Sequence, residues 1–370
     1  MKSKFTSLVL LTLSAALLSA QTVQPPAPAS LTPVPTRDQK IVRRWSVSGD
    51  PHGLALGRDG TIYVGLAQPQ AVIAVDPKTG AIKSRLVLDS AEIASTKELV
   101  TLRTNRDGTR LFIANGSDES ATILGLPDLH VIREITMEGE TIRDAIPDPK
   151  GRYLYLLGRR VHVYDANGEK EIKTIDFADP MAIAAAENGA TLAVLGPEDF
   201  GGTKATVVAI FDTTTFAELA RDPMQTDQLI EGALFADQDR ALVAVSRDHL
   251  FEKPILAKPA APKKLATSYD GQMRMTINFG DLVNSDHVCL PEGSGPQIAV
   301  PGPGNLLIFA ERRCSASGSF AGSSRRVTPA SLYGVNAYAI AFDAASNTLV
   351  ATERAGYLTI YKGPRAAVAK

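Results

Sequence analysis

One strand-rich pattern recurs about seven times along this chain. Each copy has a short apolar run, a turn rich in Gly, Asp or Asn, a second apolar run and a third that often ends in Asp. The clearest copies begin at His52, Val100 and Asp144. A period of roughly 40 residues built only of strands describes a unit that cannot bury its own faces and must stack on neighbours. The pattern therefore predicts an all-β fold, a β-propeller.

The turn between the first two strands of each copy marks the repeat. These turns tolerate the left-handed backbone that tight hairpins need, and a β-rich run follows each of them. They are Asp59-Gly60, Asp107-Gly108, Lys150-Gly151, Asn188-Gly189, Gln238-Asp239, Gly304-Asn305 and Ser346-Asn347. Their number predicts seven blades, each a four-stranded antiparallel sheet. The wide gap before Asn305 is assigned to an insertion in the fifth blade, where Lys253, Lys258, Lys263 and Lys264 form a basic patch.

The two ends of the repeat region predict how the ring closes. The last copy supplies only three strands, whereas Ile41–Val47 is a strand with nothing before it to pair with. Adding this N-terminal strand to the outside of the last blade completes the ring and removes an exposed edge. Trp45, the only tryptophan, is then expected to pack inside the closing blade.

The segments outside the repeats predict export. Residues 1–20 read as a signal peptide, with Lys2 and Lys4 before an apolar core that is too short to span a bilayer. Residues 21–38 are proline-rich and predict an extended, uncompacted linker. The propeller is assigned to residues 39–363 and a C-terminal tail to residues 364–370. The mature protein is expected in the periplasm or secreted, without a transmembrane segment.

The net charge and the cysteine content give two further expectations, one about the class of partner and one about a disulfide. The formal net charge is −1, which is too balanced to indicate nucleic acid as a partner. Cys289 and Cys314 are the only cysteines, and an isolated pair in an oxidising compartment predicts a disulfide. A monomer is expected, with a protein, peptide or cell-envelope component as its partner.

Two copies carry a family resemblance. The runs RLFIANGSDESATILGLPDLHVIREI and IYVGLAQPQAVIAVDPKTGAIKSRL resemble the YVTN-type repeat of exported bacterial seven-bladed propellers. The resemblance extends loosely from Ile41 to Lys362. It implies a binding or scaffold module, and it brings no catalytic residues with it.

A weaker resemblance keeps an enzymatic alternative open. The run DPHGLALGRDG is similar to a repeat of the NHL, streptogramin-lyase and gluconolactonase propellers, which implies a polar residue near the central axis. The alternative function is a metal-assisted hydrolase or lyase with His52 and Glu231 as catalytic candidates. Its cofactor would be a single divalent cation in the central channel; otherwise no cofactor is predicted. A quinoprotein-dehydrogenase-like subunit is a third alternative.

Propeller geometry indicates where a binding site would lie. The loops between the second and third strands of a blade, and those between blades, open on one face and carry nearly all the loop length, for example GPEDFGGTK. Long loops on a rigid ring are common places for binding sites. Residues entering the innermost strands from this side are the candidates: His52, Arg103, Arg143, Asp144, Glu231, Asn336 and Tyr338.

The other histidines indicate no metal site. His130, His162, His249 and His287 have no spacing suited to tetrahedral zinc, and no C-x-x-C pair is present. The predicted function is therefore a non-enzymatic exported propeller that binds its partner through the long-loop rim and the central funnel.

Overall fold

The structure is a computed structural model. It describes residues 29–89, 101–114, 119–200, 202–223, 230–236, 239, 241–246, 249–254, 275–278, 299–302, 306–309, 332–334, 337–343, 346, 348–353 and 355–362. Within these ranges the regular elements are strands, and none of the described residues belongs to an α-helix. The described part of the chain accordingly has no helix with the length and apolar character needed to cross a membrane.

The strands are numbered along the chain. The first fourteen are β1 (Thr32–Pro33), β2 (Ile41–Ser46), β3 (Pro51–Leu56), β4 (Ile62–Ala67), β5 (Gln70–Val75), β6 (Ile82–Asp89), β7 (Thr101–Thr104), β8 (Arg110–Ala114), β9 (Ser120–Gly125), β10 (His130–Thr136), β11 (Asp144–Pro147), β12 (Tyr153–Leu157), β13 (Val161–Asp165) and β14 (Glu171–Ile175). The others are β15 (Ala182–Ala185), β16 (Thr191–Phe200), β17 (Thr203–Asp212), β18 (Glu218–Pro223), β19 (Ile230–Ala236), β20 (Ala241–Ser246), β21 (His249–Pro254), β22 (Met275–Asn278), β23 (Ala299–Gly302), β24 (Leu306–Phe309), β25 (Leu332–Gly334), β26 (Ala337–Asp343), β27 (Thr348–Glu353) and β28 (Tyr357–Lys362).

These strands form antiparallel sheets that follow the chain order. Five sheets have four strands each: β3–β6, β7–β10, β11–β14, β15–β18 and β19–β22. The strands β23–β25 form a three-stranded sheet, and the last sheet has the order β1-β2-β28-β27-β26. The innermost strands of successive sheets touch: β3 contacts both β7 and β26, β7 contacts β11, and β15 contacts β19. The predicted all-β propeller is confirmed, while the total of seven blades stays a prediction.

The hydrophobic core lies between the blades. Tyr63 and Val72 of the first blade share one buried cluster with Leu111 and Leu124 of the second. Similar clusters join the second blade to the third, the third to the fourth and the fourth to the fifth. Central strands such as β5 are buried along their whole length because they pack on both faces, whereas the outer strand β10 is mostly exposed. Each blade therefore depends on its neighbours for stability.

The predicted Asp-Gly turns adopt the expected backbone. Gly60 and Gly108 have φ of 82° and 74°, which side chains rarely tolerate. Asp59 Oδ1 accepts a hydrogen bond from the Thr61 amide at 3.0 Å, and Asp107 Oδ1 accepts one from the Thr109 amide at 3.0 Å. These two turns are thus fixed by hydrogen bonds from their own Asp side chains.

The N-terminal strand closes the last blade as predicted. β2 pairs antiparallel with β28, and Trp45 lies opposite Leu358. Trp45 is 3% exposed and packs in a cluster that includes Val64 of the first blade and Val350 of the last. The expected position of Trp45 is confirmed.

Residues 29–34 of the proline-rich segment pack against the propeller, whereas the sequence predicted an uncompacted linker. β1 adds a fifth strand to the closing sheet, with Thr32 opposite Ser46. The Leu31 amide donates to the carbonyl of Gly80 at 2.9 Å, and the Leu31 side chain is buried beside Trp45. Part of the predicted linker therefore crosses from the last blade to the first, because the extended backbone that prolines favour also suits an edge strand.

A second difference concerns the run GPEDFGGTK, which was expected to be a loop. β16 continues through it to Phe200 and β17 starts at Thr203, so the run forms a β-hairpin. β15 pairs with β16 only as far as Leu195, and β18 pairs with β17 only from Val207. Residues 196–200 and 203–206 therefore pair only within the hairpin, which extends about 16 Å beyond the sheet at roughly 3.3 Å per residue.

Candidate binding face

Two faces of the propeller differ in their loops. On one face lie the loops between the second and third strands of each blade and the loops between blades. We call this face the rim face. Its described segments include residues 47–50, 137–143, 158–160 and 176–181, together with the projecting hairpin 196–206. We call the opposite side the turn face, which includes the turns 57–61, 105–109, 148–152 and 186–190. Of the predicted site residues, His52, Arg103, Asp144 and Tyr338 lie on described inner strands, and Arg143 lies in the loop before one of them.

His52 and Tyr338 are brought together across the closure of the ring. Their ring centroids are 3.7 Å apart, with an angle of 28° between the planes. His52 Nε2 lies 3.0 Å from Asp50 Oδ2, and the Thr352 hydroxyl donates to the His52 carbonyl oxygen. Because the His52 side chain is only 5% exposed, its ring packs between the first and last blades.

Arg103 and Asp144 form an ion pair between the second and third blades. Arg103 Nη2 lies 3.0 Å from Asp144 Oδ2. Asp144 raises the pKa of the Arg103 guanidinium, so the arginine stays charged. The Arg103 side chain is half exposed, which leaves part of this charge accessible at the inner strands.

Arg143 contacts main-chain carbonyls, although Asp144 is its neighbour in sequence. Its Nη2 donates to the carbonyl of Gly158 at 2.8 Å and to the carbonyl of Pro180. Burial lowers the pKa of this guanidinium, while the charges of Asp179 and Glu140 oppose that change. Arg143 therefore joins the third blade to the fourth, and the sequence prediction did not include this contact.

A cleft of about 320 Å³ lies where these two blades meet on the rim face. Its walls are Thr141, Arg143, Gly158, Arg159, Asp179 and Met181. Of these residues, the sequence prediction contained only Arg143. Gly158-Arg159-Arg160 stands at the turn between the second and third strands of its blade, so a cationic turn on the long-loop face was the available signal for Arg159.

His162, on β13 of the third blade, lies between two carboxylates. Its Nδ1 is 2.8 Å from Glu171 Oε1 and its Nε2 is 3.2 Å from Glu140 Oε2. Glu140 also accepts a hydrogen bond from the Arg160 amide at 2.9 Å. This cluster fixes the turn 158–160.

The base of the projecting hairpin is fixed by Arg221. Its guanidinium lies 3.1 Å from Glu198 Oε2 and 2.7 Å from Glu218 Oε2, and it lies over the Phe177 ring at 5.1 Å from the centroid. The hairpin therefore rises beside the loop 176–181 that forms one wall of the cleft.

Several predicted residues lie outside what the structure describes. Cys289, Cys314 and Asn336 fall in undescribed stretches, and Glu231 is placed in β19 without a description of its side chain. The predicted disulfide and the roles of Glu231 and Asn336 therefore stay predictions. Among the residues that are described, no three His, Cys, Asp or Glu side chains are grouped so that they could hold a metal ion. The divalent cation of the alternative function is likewise still a prediction.

Comparisons with known proteins bear on the fold. No protein-family model matches the chain, and no curated protein matches it by sequence. Among solved structures, the chain is similar to the Cps50 (Swd1) β-propeller domain of Myceliophteria thermophila, with a TM-score of 0.62 and 16% identity over 88% of this chain and 99% of that one. It is also similar to a chain of the Mitotic Checkpoint Complex, with a TM-score of 0.62 and 14% identity over 96% of this chain and 99% of that one. Both neighbours are WD40-type β-propellers.

Proposed function

We propose that the protein is an exported, non-enzymatic β-propeller scaffold that binds a protein, peptide or cell-envelope component through its rim face and central funnel. The YVTN-like repeats, the signal-peptide pattern at residues 1–20 and the long-loop rim support this proposal. One structural neighbour comes from a protein assembly, the Mitotic Checkpoint Complex, which is consistent with a propeller that serves as a binding platform.

The observation that carries the proposal is the difference between the two faces. On the turn face, polar side chains bond within the protein: Asp107 to the Thr109 amide, and Asp239 to the amides of Glu187 and Asn188. The rim face instead carries the projecting hairpin and, between the third and fourth blades, a cleft of about 320 Å³. A concave surface lined by charged side chains such as Arg159 gives a partner groups to contact.

Site-specific photo-crosslinking tests this assignment. A benzoylphenylalanine introduced at Arg159 samples the rim face, and one introduced at Arg106, which is also exposed, samples the turn face. The full-length protein would be produced in its own cells and irradiated. We expect discrete cross-linked products from position 159 and none from position 106. Products from position 106 alone, or the same products from both positions, would contradict the proposal.

A further inference from the structure

We propose that the cleft between the third and fourth blades binds a carboxylate of the partner polypeptide, with Arg143 and Arg159 as the anion-binding groups. This inference rests on the proposed function, because it names the chemistry that the rim face recognises.

Arg143 forms no ion pair with a carboxylate among the described residues, although the charges of Asp179 and Glu140 act on it. Its Nη2 donates to two carbonyl oxygens, whereas Arg103 and Arg221 each lie within 3.1 Å of a carboxylate oxygen. A guanidinium has five N–H donors in a planar fork, so the Arg143 side chain keeps donors for a ligand after it has made these two bonds.

Arg159 supplies a second guanidinium on the wall of the same cleft. Its side chain is exposed and, within the described part of the chain, makes no hydrogen bond or ion pair. The nearby carboxylate of Glu140 is already engaged by the Arg160 amide and by His162. Two arginines facing one space suit a carboxylate, which can accept paired hydrogen bonds from each fork.

The remaining walls suit a short piece of polypeptide. The volume of about 320 Å³ lies at the lower end of the range for ligand pockets. Met181 provides a flexible, polarisable apolar wall on which an aliphatic side chain can pack. Thr141 adds an exposed hydroxyl, and the hairpin 196–206 rises beside the opening. A carboxylate flanked by apolar side chains fits these groups better than a bare inorganic anion does.

Asp179 allows a test of whether the cleft binds a negatively or a positively charged group. Its carboxylate lines the cleft and its charge acts on Arg143, so it opposes the entry of a second carboxylate. Asp179 has a φ of 48°, which asparagine adopts about as readily as aspartate. Asp179→Asn should therefore keep the backbone and strengthen the binding of a carboxylate. If the cleft bound a cation, the same change would weaken binding.

The test uses three matched peptides that carry a neutral dye at the N-terminus. Gly-Ser-Gly-Leu-Glu-Leu amide has an internal glutamate, Gly-Ser-Gly-Leu-Gln-Leu acid has only a terminal carboxylate, and Gly-Ser-Gly-Leu-Gln-Leu amide has neither. Each peptide would be titrated to about 1 mM against the full-length protein, with fluorescence polarisation as the readout. We expect binding of at least one carboxylate peptide and not of the third, and the first two distinguish a side-chain from a terminal carboxylate.

Variants then locate the binding. Arg159→Gln should weaken binding by roughly tenfold or more, as expected for the loss of hydrogen bonds to a charged group. Arg106→Gln makes the same change on the turn face and should leave binding unchanged. Arg143→Lys keeps a charge but loses the fork, and it should weaken binding with the folded state checked by circular dichroism.

The outcomes separate this inference from the proposed function. Equal binding of all three peptides, a loss of equal size in Arg159→Gln and Arg106→Gln, or weaker binding in Asp179→Asn would each overturn the carboxylate assignment. No binding of any peptide would overturn it as well. In each of these cases, cross-linking from position 159 alone would still support a protein-binding rim.

Discussion

Arg44 and Glu353 are 309 positions apart in the chain, and Nη2 of Arg44 lies 3.0 Å from Oε1 of Glu353. The Glu353 side chain is 7% exposed, and it also accepts a hydrogen bond from the Tyr361 hydroxyl at 2.7 Å. Arg44 Nε donates to the Thr359 hydroxyl at 3.0 Å. The N-terminal strand is therefore joined to the last blade by a polar network in addition to the strand pairing.

The first prediction concerns this network. Glu353→Ala should lower the free energy of unfolding by about 3 kcal/mol, because it removes the buried carboxylate that pairs with the Arg44 charge and accepts a hydrogen bond from the Tyr361 hydroxyl. Urea unfolding of the purified protein measures the change. Glu169→Ala is the matched control, since Glu169 pairs with Arg133 at an exposed site and should cost less than about 1 kcal/mol. Equal losses in the two variants would show that the network does not stabilise the closure.

The second prediction concerns the segment that crosses from the last blade to the first. Leu31→Ala should destabilise the protein by about 2–3 kcal/mol, because Leu31 is buried in the cluster around Trp45. Val42→Ala on the neighbouring strand should have little effect, since Val42 is 40% exposed. Thermal unfolding of both variants checks the difference. A melting temperature of Leu31→Ala equal to that of the wild type would mean that residues 29–34 do not pack on the propeller.

A third prediction concerns Arg152, which connects the third and fourth blades on the turn face. Its Nε lies 2.8 Å from Asp148 Oδ2, and its Nη2 donates to the Gly189 carbonyl at 2.6 Å. Arg152→Met should cost about 3 kcal/mol, since the buried carboxylate of Asp148 loses its countercharge. The same change at the exposed Arg106 should cost almost nothing. Chemical denaturation measures the free energy of unfolding of both variants. A small loss in Arg152→Met would show that the Arg152 contacts do not stabilise the packing of the third blade against the fourth.

The fourth prediction concerns pH. Burial, with a smaller contribution from Asp59, raises the pKa of Tyr63 from 10.0 to about 12. The unfolded chain therefore releases this proton at lower pH than the folded protein does. The contribution of Tyr63 to stability is fully present below pH 10 and is lost as the pH rises from 10 towards 12.

Urea unfolding across that pH range tests the prediction. Tyr63→Phe cannot titrate, so its stability should fall less steeply between pH 10 and 12 than that of the wild type. Identical slopes for the two proteins would show that Tyr63 has an ordinary pKa.

Features set by local sequence could be predicted. The Asp-Gly turns at Gly60 and Gly108 need only a left-handed backbone and a neighbouring carboxylate, and both requirements are visible in the repeat. The pairing of β2 with β28 followed from a count of strands, because a ring with one orphan strand at one end and three strands at the other closes in one way.

Features set by contacts between blades could not be predicted. Arg143 is next to Asp144 in sequence, yet it donates to Pro180 while Asp144 pairs with Arg103. Which partner each of these side chains contacts depends on the distance between neighbouring inner strands. A local sequence pattern contains no information about that distance. The packing of Leu31 in the cluster around Trp45 similarly depends on residues of the first and last blades, which meet only when the ring closes. The cleft residues Asp179 and Met181 were missed for the same reason, since they meet Arg159 only after the blades have packed.

Binding of the cross-linked partner to face-specific variants tests the central claim most directly. The partner recovered from cross-linking would be purified and titrated by calorimetry against Arg159→Glu and Arg106→Glu of the full-length protein. The account predicts a loss of affinity of at least roughly tenfold for Arg159→Glu and wild-type affinity for Arg106→Glu. Wild-type affinity in Arg159→Glu together with a loss in Arg106→Glu would contradict a binding site on the rim face.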